Sequence, residues 1–249
     1  MKPHPGGIPF GDDYFPRCEE KELWRRLEEN SVVLIAPRRS GKTTMVKHMK
    51  EIPAKGWLVY YIYCEDIENE EQLRKDLASK LADARKNEGK ILVVLDEFQT
   101  MIGTFAKKMK PDDIKSLVRA LPRFRAMGDS GRTIRYVYAG SKSFDLITRR
   151  YGLESIFRNL PKVTLVPLGK KDALGYLATV LEDSGVPNKD QVAAWIYKRV
   201  GCGVRYFLAI LADKAISLNE TDQEITADAL EGIYESSITG AEGRGYFQD

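Results

Sequence analysis

Residues 31–44 constrain this chain more than any other stretch. An apolar run, Ser31-Val-Val-Leu-Ile35, passes directly into Ala36-Pro-Arg-Arg-Ser-Gly-Lys-Thr-Thr44. The run reads as a buried strand, and the polar segment as a tight loop that opens a helix. Backbone N–H groups in such a loop converge on an anion, and the positive end of the following helix dipole faces the same point. Lys42 adds a cation suited to the β and γ phosphates of a nucleotide, and the Thr43 hydroxyl suits Mg²⁺. Pro37, Arg38, Arg39, Ser40, Gly41 and Thr44 complete the candidate phosphate cradle. The full pattern is G-x-x-x-x-G-K-[ST], and Ala36 stands where its first Gly would be. Alanine adopts positive φ far less readily than glycine, so the loop entry must work with φ below zero. The plainer reading is a polar strand-to-helix turn with an exposed lysine.

A second signal lies downstream. Lys90-Ile-Leu-Val-Val-Leu95 reads as another buried strand and ends in Asp96-Glu97. A carboxylate at the tip of a parallel strand beside the loop can hold the water shell of Mg²⁺, which points to Asp96. Glu97 can orient an attacking water or take its proton. An acidic pair after a strand is also common as plain capping. Two signals converging on one Mg-nucleotide favour the functional reading.

Composition sets the bounds. Lys plus Arg exceed Asp plus Glu by only three, 39 against 36, which does not demand nucleic acid. Basic residues cluster at Lys107, Lys108 and Lys110, at Arg119, Arg123 and Arg125, and at Arg149 and Arg150. These read first as solvated faces, with a nucleic-acid surface as the alternative. Cys18, Cys64 and Cys202 are scattered, without a C-x-x-C pair, so neither a disulfide framework nor a zinc site is indicated. Two histidines, His4 and His48, cannot build a metal site by themselves. No apolar leader is visible at Met1-Lys-Pro-His-Pro-Gly-Gly7, and no run approaches the ~20 apolar residues of a membrane span. The expectation is a cytoplasmic protein with no membrane partner.

The pattern along the chain alternates. Helices are expected at 19–30, from the loop through 49, and at 69–86, where Leu73, Leu77 and Leu81 recur every four residues. Strands are expected at 31–36, 57–64, 90–96, 132–139 and 162–168. Residues 101–111 read as a basic loop, with a helix starting near Pro111-Asp-Asp113 and broken at Pro122. Such alternation predicts a parallel sheet with helices on both faces. After Gly169 four helices follow without a strand, at 171–184, 188–201, 204–218 and 226–238, the last capped by Thr226. The expected organisation is an α/β nucleotide-binding domain over 1–168 and a helical domain over 169–249.

The order of these parts resembles AAA+ ATPases, in particular the archaeal-type group related to the replication-initiator and signal-transduction clades. The resemblance rests on Phe15-Pro-Arg17-Cys-Glu19, Pro37-Arg-Arg-Ser-Gly-Lys-Thr-Thr44, Leu95-Asp-Glu-Phe-Gln99, Ala139-Gly-Ser141, Phe157-Arg158 and Gly201-Cys-Gly-Val-Arg-Tyr-Phe207. It implies a three-layer P-loop NTPase fold with a five-stranded parallel sheet in order 5-1-4-3-2, a small helical lid, and ATP or ADP with Mg²⁺. It also implies roles. Ser141 resembles the sensor-1 position, where relatives often carry Asn, with a plain Gly-Ser turn as the alternative. Arg205 resembles the sensor-2 arginine, with a surface helix arginine as the alternative. Arg158 resembles a finger presented to a neighbouring subunit, with Arg149 and Arg150 competing. Phe15 and Arg17 fall where relatives meet adenine, although packing also accounts for Phe15. The family usually continues into a winged helix, whereas this sequence ends at Gly245-Tyr-Phe-Gln-Asp249; either it is cut there or the member is short.

The leading expectation is therefore Mg-dependent ATP hydrolysis, coupled to lid movement and to a DNA or protein partner, with self-association if a finger acts in trans. Its alternative is a nucleotide-gated switch with little hydrolysis. A small-molecule kinase is disfavoured by Glu97 and the four-helix block.

Overall fold

The computed structural model describes residues 1–5, 7–9, 11–84, 89–123 and 133–240. The chain divides into two compact units. One is Pro16–Arg38 with Met45–Leu165, and the other is Met1–Phe15 with Arg39–Thr44 and Val166–Asp249.

In the first unit β1 (Val32–Ile35), β2 (Trp57–Tyr63), β3 (Lys90–Asp96), β4 (Ile134–Gly140) and β5 (Lys162–Thr164) form one sheet in order β2-β3-β4-β1-β5. All four pairings are parallel. This is the order 5-1-4-3-2 expected from the resemblance, read from the other edge. The period-two alternation of a strand, applied to runs apolar throughout, gives the sheet two buried faces. Val33, Ile91, Val93, Leu95, Tyr136 and Tyr138 share one core. It also holds side chains of α3 (Glu70–Ala84), α4 (Phe98–Phe105), α5 (Pro111–Ala120), α6 (Phe144–Arg150) and α7 (Glu154–Phe157). Val32, Leu34, Leu92, Val94, Val137 and Ala139 share another with α1 (Cys18–Leu27) and α2 (Lys42–Glu51). The result is three layers.

Two local expectations are corrected. The stretch read as a basic loop at 101–111 is helical at its start, because α4 buries Phe98, Met101, Ile102 and Phe105 at helical spacing. Strand β5 stops at Thr164 rather than 168, although Leu165 N still donates to Ile35 O at 2.8 Å. Pro167, lacking an N–H, cannot extend the ladder. Arg125, the strand start at Arg132, positions 85 and 86 of the expected helix, and Gly245–Asp249 lie outside the described residues.

The second unit contains α8 (Lys170–Asp183), α9 (Lys189–Val200), α10 (Arg205–Glu220) and α11 (Ala227–Tyr234), followed by a π-helical turn at Glu235–Thr239. Its core gathers Tyr176, Leu177, Ile196, Leu208 and Leu211. Thr226 Oγ1 accepts from Ala229 N at 3.2 Å, capping α11. Gly201 ends α9 in the left-handed region, φ 72°. Gly203 lies against the Leu168 backbone, where any Cβ would collide with main-chain atoms. This crossing, closed by Leu168 N donating to Gly203 O at 2.9 Å, fixes where α10 begins. The N-terminal segment packs in the same unit: Tyr176 Oη donates to Pro3 O at 3.1 Å, and Lys2 N to Asp13 Oδ1 at 2.7 Å. No helix among the described residues is long and apolar enough to cross a membrane.

Candidate functional site

Because the strands are parallel, their C-terminal ends share one edge of the sheet. There β1, β4 and β3 are consecutive and end at Ala36-Pro37-Arg38, Gly140-Ser141 and Asp96-Glu97. Ala36 N donates to Gly140 O at 3.0 Å, which ties the loop's first residue to the tip of β4. Arg39 (φ 64°) and Gly41 (φ 92°) both take left-handed conformations, and α2 starts at Lys42. Ala36 keeps a negative φ, so the departure from the Gly pattern carries no backbone penalty. Nothing stands within 4 Å of a Cβ placed on Gly41, so its conformation, not crowding, selects glycine. Ser40, Lys42 and Thr44 are buried, and Thr43 follows Lys42 in the first turn of α2.

At the tip of β3, Asp96 is fully buried. Its Oδ2 accepts from Tyr61 Oη at 2.9 Å and its Oδ1 from Glu97 N at 3.1 Å. Tyr61 lies on the adjacent β2, on the face Asp96 shares, and Lys47 Nζ sits 5.4 Å above its ring. Burial, and then the charge of Asp96 and the bond to it, push the Tyr61 phenol well above its ordinary 10.0. Glu97 itself is left-handed (φ 56°, ψ 39°) and forms the sharp corner from β3 into α4. Gln99 Nε2 donates to Glu97 Oε2 at 2.6 Å and to Ser141 Oγ at 3.5 Å. Ser141 Oγ lies 2.8 Å from Ser143 Oγ.

In the second unit Arg205 opens α10 and is only 8% exposed. It stacks over the Tyr176 ring at 5.0 Å and donates to Asp13 O at 3.4 Å. No carboxylate lies within ion-pair distance of it among the described residues, and it stands at the positive end of its helix. Arg205 is thus a buried residue of α10 rather than an exposed one. Arg39 lies over the Tyr206 ring at 4.8 Å, and Phe15 packs edge-on to Tyr176 at 5.6 Å.

The remaining arginines divide. Arg17 is buried at the N-cap of α1 and pairs with Glu19 at 3.0 Å. Burial raises the Glu19 carboxyl, but the Arg17 bond, a backbone N–H and the Cys18 thiol outweigh it, leaving its pKa below the usual value. Arg158 is exposed at the end of α7, Arg149 pairs with Glu154 at 3.4 Å, and Arg150 lies 5.8 Å from the Tyr151 ring. The structure thus groups Asp96, Glu97 and Ser141 in one unit, and Phe15, Arg39 and Arg205 in the other. Tyr61, Gln99, Tyr176 and Tyr206 escaped the sequence reading. Only Gln99 carried a local signal, its place two residues after the acidic pair.

A strand–loop–helix with left-handed corners, in one parallel sheet with an acid-tipped strand, defines a phosphate-loop NTPase fold. A protein-family profile, AAA domain, matches residues 28–169, more than half of the chain. The chain belongs to that family. Among solved structures it is similar to the ORC2 protein of Aeropyrum pernix in its ADP form, at 16% identity and TM-score 0.64 over 91% of this chain and 71% of that one. A Walker-type ATPase of Pyrococcus abyssi matches at 14% identity and TM-score 0.63, over 92% and 73%. RuvB of Thermotoga maritima, a Holliday junction branch migration motor, matches at 18% identity and TM-score 0.60, over 95% and 74%. No curated protein matches the sequence. The AAA+ resemblance, of archaeal type, holds at the level of family and fold.

Proposed function

We propose that the chain binds ATP with Mg²⁺ and hydrolyses it. The observation that carries this reading is the loop between β1 and α2. Two left-handed residues, Arg39 and Gly41, turn the chain onto a helix whose first residue is Lys42. Pro37, Arg38, Arg39, Ser40, Gly41, Lys42, Thr43 and Thr44 would wrap the phosphates. Arg205 supports it independently: a buried cation at a helix N-terminus is costly unless an anion joins it. Phe15 and Arg17 are assigned to the adenine side.

Magnesium fits the donor set. No cluster of three or more His, Cys, Asp or Glu that could hold a metal lies among the described residues. Mg²⁺ bound with a nucleotide needs only one or two protein oxygens beside phosphates and water. The Thr43 hydroxyl and the Asp96 carboxylate are of that kind, and Tyr61 and Glu97 N orient Asp96. The ion would neutralise phosphate charge. Glu97 would accept the proton of the attacking water, Ser141 would donate to the γ-phosphate or the water, and Lys42 would stabilise charge on the phosphoryl oxygens. Arg158 is the assigned finger in an assembled form of the chain. Residues 1–168 serve as the nucleotide domain and 169–249 as the lid, whose angle would report the nucleotide to a DNA or protein partner in the cytoplasm.

The test is Glu97→Gln. ATP affinity should stay within about threefold while turnover falls at least ~100-fold, the usual contribution of a general base. Equal turnover in the variant rejects the role of Glu97. A wild type that binds Mg-ATP without releasing phosphate, alone or with DNA, leaves the switch as the better description.

A further inference from the structure

We propose that Gln99 is a positioning residue that joins the base Glu97 to the hydroxyl of Ser141, so that the two act as one unit; this rests on the hydrolytic reading above. The carboxamide is 94% buried, at 6% relative exposure, on the first turn of α4. That turn is anchored by Phe98, whose ring lies 5.2 Å from Tyr138, 6.0 Å from Phe144 and 5.7 Å from Phe157. The backbone carrying Gln99 therefore has little freedom. Gly140 completes the seat: a Cβ there would collide with Gln99 Oε1 and come within 2.9 Å of Phe144 Cδ2. The tip of β4 is bare so that the amide can lie against it.

The bonding fixes the orientation of the amide. Nitrogen must face Glu97, because an amide oxygen there would oppose a carboxylate. The two hydrogens of Nε2 match the two acceptors, Glu97 Oε2 at 2.6 Å and Ser141 Oγ at 3.5 Å. Oε1 is then buried without a hydrogen-bond partner. An orphaned buried oxygen is unfavourable, and an apolar residue of the same length would avoid it. Retaining an amide against that penalty is expected where its two donors serve the chemistry.

The link also sets the polarity of the hydroxyl. Ser141 Oγ accepts from Gln99 Nε2 and, at 3.4 Å, from Ser143 N. Its lone pairs being taken, its own hydrogen is the one directed onward, here to Ser143 Oγ at 2.8 Å. A serine so arranged is a donor, the role a group facing a phosphate or an attacking water needs. Meanwhile the same amide holds the Glu97 carboxylate through Oε2.

Three measurements on the full chain decide this. Turnover and Mg-ATP affinity are measured separately for wild type, Gln99→Leu, Gln99→Met and Ser141→Ala. Loss of the link lowers kcat about 10–100-fold, less than the ~100-fold or more expected for loss of the base itself, with KM and nucleotide affinity within about threefold. The melting temperature shifts little, since the lost bond to Glu97 and the removal of the orphaned oxygen act in opposite directions. Gln99→Leu combined with Ser141→Ala loses little more than the worse single variant, because residues that act as a unit are non-additive. Unchanged kcat, multiplicative losses, or a joint fall of kcat, affinity and melting temperature would each overturn the proposal. The third measurement does not depend on turnover: the Gln99 side-chain amide resonance, assigned by its disappearance in Gln99→Leu, should move in both Glu97→Ala and Ser141→Ala. An amide signal indifferent to both removes the link even if hydrolysis is confirmed. A wild type without ATPase activity whose amide signal responds to both refutes the hydrolytic reading and keeps the link.

Discussion

Replacing Tyr61 by Phe isolates the support of Asp96 without involving nucleotide. The phenol donates at 2.9 Å to a carboxylate that is fully buried. A hydrogen bond to a charged group contributes about 1.5–3 kcal/mol. Asp96 Oδ1 keeps its bond from Glu97 N, so the lower end applies, about 1.5 kcal/mol of lost stability near pH 7. The alkaline limb supplies a second readout. The folded-state pKa of Tyr61 is raised above its ordinary 10.0, so its contribution is fully present below pH 10 and is lost as pH climbs towards the folded value. Each such group adds about 1.4 kcal/mol per pH unit of falling stability in that window. Tyr63, Tyr136, Tyr138 and Tyr176 are raised as well, each with burial as the largest cause, so the wild-type limb is steep. Tyr61→Phe should flatten it by one proton's worth. Urea unfolding followed by emission of Trp24 and Trp57, whose rings lie 5.8 Å apart, reads this unit once Trp195 is changed to Phe. A change under about 0.5 kcal/mol near pH 7, the scale of an ordinary surface substitution, with an unaltered alkaline slope, would refute the reasoning.

Arg205→Met should leave the melting temperature of the nucleotide-free protein level or higher, because a buried cation without a carboxylate partner is replaced by an apolar chain. ATP affinity, by calorimetry, should fall about 10–100-fold, the worth of a charge-assisted contact; undiminished affinity removes Arg205 from the site. Gly203→Ala drives a Cβ into the Leu168 backbone, which cannot yield as a side-chain tip can. A loss of at least about 1–3 kcal/mol is expected on thermal unfolding, as for overpacking elsewhere, and an unchanged melting point would show that the two segments separate easily.

The two buried faces and the position of the phosphate loop could be read from local patterns in the sequence, whereas the strand order followed only from the family resemblance. Val-Val-Leu-Ile and Ile-Leu-Val-Val-Leu bury both faces wherever they sit, and Gly-Lys-Thr must follow a strand to be useful. Helix α4 was hidden by its neighbours: Gly103 and the lysines at 107, 108 and 110 suggested a loop, while the apolar stripe from Phe98 to Phe105 is short. The side chains that organise the acidic tip were hidden for a deeper reason. Gln99 and Ser141 are 42 positions apart, and Tyr61 and Asp96 are 35 apart. Their meeting depends on the register of β2, β3 and β4, which pairs Tyr63 with Asp96 and Leu95 with Tyr138. Hydrophobic periodicity fixes which face a residue takes, but a shift of two residues preserves the face and separates every such pair. The register is instead held where shape admits one solution, as at Gly140, where bare backbone meets the Gln99 amide, and at Phe98, wedged among three rings. Packing on one face of the sheet therefore sets the polar geometry at its edge, and an enlarged residue at position 140 should disturb the chemistry before it disturbs the fold.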